Sequence, residues 1–308
     1  MSVLVVGSVA YDTLETPAGR AEKVLGGSAV YFALAASYFT DVNLVGVVGD
    51  DFGPKERAVL EGRRIDLQGL EHAPGKTFHW QGKYSTDLNS RETICTDLNV
   101  FEHFKPKLPE SYRQSDRLFL GNIEPSLQRD VLEQVDAPEL VGCDTMNLWI
   151  NHRLEELKKT LAKVEVLLIN DSEAKELAGD WNIIRAARAI RAMGPKTLII
   201  KKGEHGALLF QEETCFLASA FPLEHVKDPT GAGDSFAGGL MGYLDHADSH
   251  DEATFRQAVI MGSTVASFCC EAFGVERFLD LTREQIEERF HEFASMVHFD
   301  RLPTNGKA

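Results

Sequence analysis

The sequence predicts an α/β protein built on a mainly parallel sheet with helices on both faces, carrying a small additional β-sheet. Three observations lead there. Apolar, β-branched runs of strand length recur along the chain. Segments of helical period and composition lie between most of them, and strands apolar on both sides need cover on both sides. Residues 71–105 break that rhythm with polar/apolar alternation, threonines and aromatics, the pattern of a hairpin without a covering helix.

In chain order, "VLVVGSV" at 3–9 is the first strand. "YDTLETPAGRAEKVLGG" at 11–27 reads as two short strands around Pro17-Ala18-Gly19. "SAVYFALAASYF" at 28–39 is apolar nearly all round, so it predicts a buried helix. "VNLVGVVG" at 42–49 returns to the main sheet. The hairpin at 71–105 turns at Asp87-Leu88-Asn89-Ser90 and pairs with the earlier piece as a small projecting sheet, with segments at about 11–25 and 71–105. That sheet reads either as a lid over an active site or as a homodimer contact. "DRLFLGNI" at 116–123, "VEVLLIN" at 164–170, "TLIIKKG" at 197–203 and "ALLF" at 207–210 continue the main sheet. "HRLEELKKTLAK" at 152–163 and "IIRAARAIRAM" at 183–193 are amphipathic helices. Nothing resembles a linker, a repeat or a low-complexity segment, so residues 1–308 are expected to form one domain, with the last six residues loose.

Charge and cysteines narrow the function classes. Lysine plus arginine number 32 against 47 for aspartate plus glutamate, a formal charge of −15. Such a surface disfavours nucleic acid or an anionic membrane as partner. No apolar run approaches a membrane span, and the N-terminal segment carries no basic leader. The five cysteines are odd in number, lack metal-type spacing and include the vicinal pair Cys269-Cys270 in a helical run. Reduced thiols and a cytoplasmic location are expected. The ten histidines make no helical metal pair. "GKT" at 75–77 is no phosphate-binding P-loop, because Leu70 stands where the first glycine is required and a strand follows in place of a helix. Asn170-Asp171-Ser172 matches a glycosylation sequon, which has no meaning without secretion.

Ligands of open parallel sheets bind outside the carboxyl ends of the strands, and the unusual residues fall there. Asp12 follows the first strand, Gly26-Gly27 precedes the buried helix, Gly49-Asp50-Asp51 follows the strand at 42–49, and Asn170 with Glu173 follows the strand at 164–170. "KDPTGAGDSFAGG" at 227–239 opens a helix whose period runs from Asp234 onward. The free amides of Gly231, Ala232, Gly233 and Asp234 make an anion site suited to a transferring phosphoryl group. Asp234 beside it can accept the proton of an attacking hydroxyl, help typically worth about 10²–10⁴ in rate. The competing reading is a carboxylate that merely suits a helix's first turn, worth roughly 0.3–1 kcal/mol.

"DPTGAGDSFAGG" resembles the C-terminal signature of the ribokinase-like (PfkB) carbohydrate kinases, and other segments agree in order. Gly26-Gly27 resembles the family's double glycine, Asp12 its sugar-binding aspartate, and "GVVGDDFG" at 46–53 a glycine-rich segment. Asn170-Asp171-Ser172-Glu173 resembles its N-x-x-E motif, and Gly203 to Gly206 its G-x-x-G turn near the nucleotide. The resemblance implies a Rossmann-like domain with a β lid, moving the γ-phosphate of ATP to a hydroxyl of a sugar or sugar-like molecule. By position it makes Asp234 the base, with Gly231, Ala232 and Gly233 as anion hole. Asp12, Gly26 and Gly27 would hold the acceptor, and Asn170 and Glu173 would place Mg²⁺ through water. Asp228, Thr230 and carbonyls around Gly274 would take K⁺.

The chain departs from the family in places. Tyr31 stands where many members have asparagine, and Ala10 replaces another asparagine, so ribose specificity of the ribokinase type is not expected. Tyr31 is either a core residue or an aromatic wall of the acceptor pocket. Lys201 replaces the usual threonine or serine, and Lys201 or Lys202 either meets a nucleotide phosphate or points to solvent. Phe78, Trp80 and Tyr84 share one strand face. With Phe101, they either stack on an acceptor or pack on the lid itself. Arg91 either binds an anionic acceptor or is plain surface charge. A nucleoside kinase of the same family is the nearest competing expectation, and a catalytically idle ligand-binding relative the next.

Overall fold

The structure is a computed structural model that describes residues 2–247 and 249–299; the expectation for the last six residues lies outside them. Thirteen strands are formed among the described residues: β1 (Ser2–Val6), β2 (Ala10–Thr16), β3 (Gly19–Gly26), β4 (Asp41–Val48), β5 (Ile65–His72), β6 (Phe78–Tyr84), β7 (Arg91–Asp97), β8 (Arg117–Leu120), β9 (Leu140–Asp144), β10 (Val166–Asn170), β11 (Thr197–Lys201), β12 (Ala207–Gln211) and β13 (Thr214–Ala218). Nine make the main sheet in the order β13-β12-β11-β10-β9-β8-β1-β4-β5. All pairings from β11 to β5 are parallel, and β12 and β13 add an antiparallel margin.

The apolar runs work as their composition demands. Along β1, Val3 and Val5 join one core cluster while Leu4 and Val6 join the other, all four fully buried. One face is covered by the helices Ser28–Ala36, Ala232–His246 and Glu252–Cys269, the other by helices that include Leu154–Leu161 and Ile183–Arg191. The helix Ser28–Ala36 buries every one of its residues, as its all-round apolar sequence requires. Successive strands first run outward from β1 through β4 to β5, then resume at β8 on the other flank of β1. The order therefore reverses between β1 and β8, and a ligand crevice is expected above their carboxyl ends.

The remaining four strands form a second sheet, β3-β2-β6-β7. Its outer pairs are antiparallel hairpins and its central pair, β2 with β6, is parallel. The two acidic residues of "GVVGDDFG" fasten its root. Asp51 Oδ1 accepts from the Thr77 amide and hydroxyl, both at 2.7 Å, and Asp50 Oδ2 accepts from the Gly75 amide at 2.9 Å. At the other end of β6, the Tyr84 hydroxyl meets Thr230 Oγ1 at 2.9 Å, tying the small sheet to the glycine-rich turn. Among the described residues no helix is long and apolar enough to cross a membrane, and all five cysteines are free thiols.

Candidate active site

The helix Ala232–His246 starts where Gly231 takes φ 75°, a left-handed conformation that side chains resist. Space excludes a side chain there as well: a Cβ on Gly231 would stand 2.3–2.5 Å from ring carbons of Tyr31. The ring of Tyr31, 1% exposed, thus lies directly under the turn. It is a core residue and a pocket wall at once, and its buried hydroxyl has no hydrogen-bond partner among the described residues.

The turn separates two cavities. One, of about 1000 Å³, is lined by Thr230, Gly231 and Asp234 together with Asp12, Gly27 and Tyr31. The other, of about 540 Å³, is lined by Ala232 and Gly233 together with Lys201, Gly203 and Gly206. The first cavity opens at the β1/β8 reversal, where Ser8 and Asn122 contribute to its wall. The small sheet roofs it with Phe78, Trp80 and Arg91. The guanidinium of Arg91 lies 5.6 Å from the ring centre of Trp80, and Phe78 stacks on Phe101 at 5.3 Å. Phe78 and Phe101 therefore pack on each other and line the cavity as well, Trp80 lines it beside Arg91, and Tyr84 is not part of its wall.

In the first cavity Asp12 projects from β2 against the backbone of Gly26, where a Cβ would sit 2.0 Å from its Oδ2. Gly27, at φ 98°, opens the buried helix and has no room for a side chain beside Ser8 and Ala10. Ser8 and Ser28 clasp the two segments, each amide donating to the other's hydroxyl at 3.1 and 3.0 Å. Burial pushes the Asp12 carboxyl up to about 8, with Asp228 and Asp234 adding to the rise and Arg91 opposing it.

Behind the turn lies a group of charges that sequence reading recovered only in part. Lys201 Nζ pairs with Asp144 Oδ2 at 2.9 Å, and its ammonium lies against Gly233, where a Cβ would be 3.0 Å away. Lys201 does not point to solvent. Burial alone would lower its pKa, but Asp144, Asp234 and Glu173 outweigh that and raise it. Half-buried Asp234 is pushed up to about 7 by burial and then by Asp144, while Lys201 and Arg91 pull it back. Glu173 is likewise raised to about 7 by burial and Asp144.

Asn170 and Glu173 cap the helix Asp171–Ala178. Asn170 Oδ1 accepts from the Glu173 amide at 2.8 Å, and Glu173 Oε2 accepts from the Asn170 amide at 2.9 Å. The N-x-x-E motif is thus a capping box, and among the described residues Glu173 makes no ion pair, although Asp144 and Lys201 act on its carboxyl. Gly203 and Gly206, at φ 54° and 84°, bend the turn after β11 along the second cavity. Asp228 is fully buried; its two oxygens accept from the amides of Thr230 at 2.9 Å and Gly274 at 3.1 Å. No lysine or arginine pairs with it among the described residues, and burial raises its pKa. Asp144 escaped sequence reading because it ends β9, whose five residues "LVGCD" give almost no strand signal.

A model of the pfkB family carbohydrate kinases matches residues 2–280. The cytidine kinase of Thermococcus kodakarensis is 31% identical over 250 residues, spanning 79% of this chain and 88% of that one. The 2-dehydro-3-deoxygluconokinase of Thermoproteus tenax is 33% identical over 280 residues, spanning 78% and 80%. Among solved structures, a nucleoside kinase of Burkholderia thailandensis in complex with inosine superposes with a TM-score of 0.77 at 22% identity, covering 95% of this chain and 99% of that one. That last likeness bears on the fold alone.

Proposed function

The chain belongs to the pfkB family of carbohydrate kinases, and from that premise we propose that it transfers the γ-phosphoryl group of ATP to a primary hydroxyl of a nucleoside. The observation that carries this reading is the glycine-rich turn standing as a partition between two cavities. The nucleotide occupies the cavity beside Gly203 and Gly206, the acceptor the one beside Asp12, and the phosphoryl group crosses at Gly231–Asp234. A cavity of about 1000 Å³ with aromatic walls is generous for a free sugar and suits a sugar bearing a heterocycle. The likeness to a cytidine kinase supports the same choice.

In this reading Asp12 orients the acceptor by its hydroxyls. Asp234 takes the proton of the attacking hydroxyl as its oxygen bonds to the γ-phosphorus and the bond to the β–γ bridging oxygen breaks, leaving ADP. A carboxyl raised to about 7 is matched to that work near neutral pH. The Ala232 amide, expected to be free, donates to the Pro229 carbonyl at 3.2 Å, so the charge on the equatorial oxygens is met by the amides of Gly231, Gly233 and Asp234 and by the Lys201 ammonium behind them.

The residues present fit Mg²⁺. Glu173 is a buried carboxylate short of positive charge. Among the described residues no group of three or more His, Cys, Asp or Glu makes a protein cage, which suits an ion that keeps most of its waters. Glu173 and Asn170 would hold it through water, and the ion supplies charge neutralisation of the nucleotide phosphates. Fully buried Asp228, without a cationic partner among the described residues, would similarly fit K⁺ held with Thr230 and neighbouring carbonyls.

The test is a panel of nucleosides and free sugars with ATP and Mg²⁺, read as ADP release. Turnover of nucleosides far above free sugars is expected. Turnover of a free sugar or sugar acid, with nucleosides inert, would refute the acceptor assignment.

A further inference from the structure

The first cavity extends beyond Asp12 and Asp234 to a wall that the chemistry above does not use. It is formed by residues 122–127 after β8 and by the short helix Asn147–His152 with its flanks. On this wall the side-chain amide of Asn122 is held in one orientation. Trp149 Nε1 donates to Asn122 Oδ1 at 2.8 Å. An indole N–H can only donate, so the oxygen must face Trp149 and the amino group must face away. The amino group has Met146 Sδ at 3.0 Å, a weak acceptor that a better one would displace. Two residues further on the same wall stands Glu124. Its Oε1 makes a loose pair with Arg153 at 3.7 Å and its Oε2 accepts from Ser126 Oγ. Leu127, Leu148 and the Trp149 ring supply apolar surface around the pair.

A fixed donor beside an acceptor is complementary to the edge of a heterocycle that presents a ring acceptor beside an exocyclic amino group. We propose that Asn122 and Glu124 read the base of the nucleoside acceptor. Asn122 Nδ2 donates to a ring nitrogen or adjacent carbonyl, and Glu124 accepts from the exocyclic amine. The site thereby favours amino-bearing bases of the cytosine type over their oxo counterparts. An oxo group in place of the amine sets its lone pairs against the carboxylate and finds no donor there, and sites built this way discriminate strongly. Trp149 is a positioning residue, acting through Asn122. The proposal rests on the nucleoside reading above.

The experiment measures kcat and KM for cytidine and uridine, with free ribose as reference, for the wild type, Asn122→Asp and Glu124→Gln, each checked by thermal melting. Asn122→Asp keeps the bond from Trp149 and exchanges the donor for an acceptor. It should lower kcat/KM for cytidine about tenfold, mainly through KM. Glu124→Gln can turn its amide to donate, so the wild-type preference for cytidine, about tenfold to a hundredfold, should shrink or reverse. A cytidine-to-uridine ratio that stays within about twofold of wild type in both folded variants would overturn the base contact while leaving nucleoside phosphorylation intact. Phosphorylation of ribose with neither nucleoside turned over would instead remove the premise and the proposal together.

Discussion

Replacing Asp234 by asparagine should make the ligand-free protein more stable above neutral pH, although the same change removes its proposed base. Asp234 is raised from its ordinary 3.8 to about 7 in the folded chain, chiefly by burial. Between about pH 4 and 7 the native state therefore holds a proton that the unfolded chain has released. Stability then falls as pH rises through that window, because the native state binds more protons than the unfolded one. At about 1.36 kcal/mol per pH unit the full effect at pH 8 would be at most about 4 kcal/mol. Asp234 is only half-buried, so solvent screening reduces the expectation to about 1–2 kcal/mol. Asparagine has the same shape and no charge to desolvate. The Asp234→Asn protein should exceed wild type by about 1–2 kcal/mol at pH 8, and the advantage should vanish near pH 4. Urea unfolding at several pH values without nucleotide measures this directly. A variant less stable than wild type at pH 8, or an advantage independent of pH, would refute the assigned desolvation.

Three further outcomes follow from the same geometry. Lys201→Met removes a charge that holds Asp234 down and leaves buried Asp144 unpaired. The acid limb of the kcat profile should move to higher pH and stability should fall by about 3 kcal/mol, which pH–rate curves and urea unfolding would detect. Gly231→Ala puts a Cβ into the Tyr31 ring at φ 75°, at a cost of about 3 kcal/mol. A double-mutant cycle with Tyr31→Ala should recover part of that loss, and strict additivity would show that the ring is not the obstacle. Exchanging K⁺ for a bulky organic cation should lower activity in the wild type and matter less in Asp228→Asn, as steady-state assays at fixed ionic strength would reveal.

The architecture was legible because both-sided apolar runs have few other uses. The strands that sequence reading did not find explain themselves. β5 alternates buried and exposed residues with four polar side chains at the margin of the sheet, β9 is short, and β13 is an exposed edge. The glycine-rich turn and Asp12 were legible since their residue types answer local demands, a left-handed φ in one case and a carboxylate over glycine in the other. The ion pair of Asp144 and the fixed amide of Asn122 were not, because each is set by a partner remote in sequence, Lys201 and Trp149. The double role of Tyr31 appears only when its ring is seen beneath Gly231.

The most direct test of the account is single-turnover phosphoryl transfer from γ-labelled ATP to cytidine, comparing wild type with Asp234→Asn under saturating ligands. A labelled nucleoside monophosphate is expected from wild type, with the variant slower by about 10²–10⁴ while its ATP affinity is retained. Transfer by Asp234→Asn at near the wild-type rate would contradict the claim that Asp234 takes the proton across the glycine-rich turn.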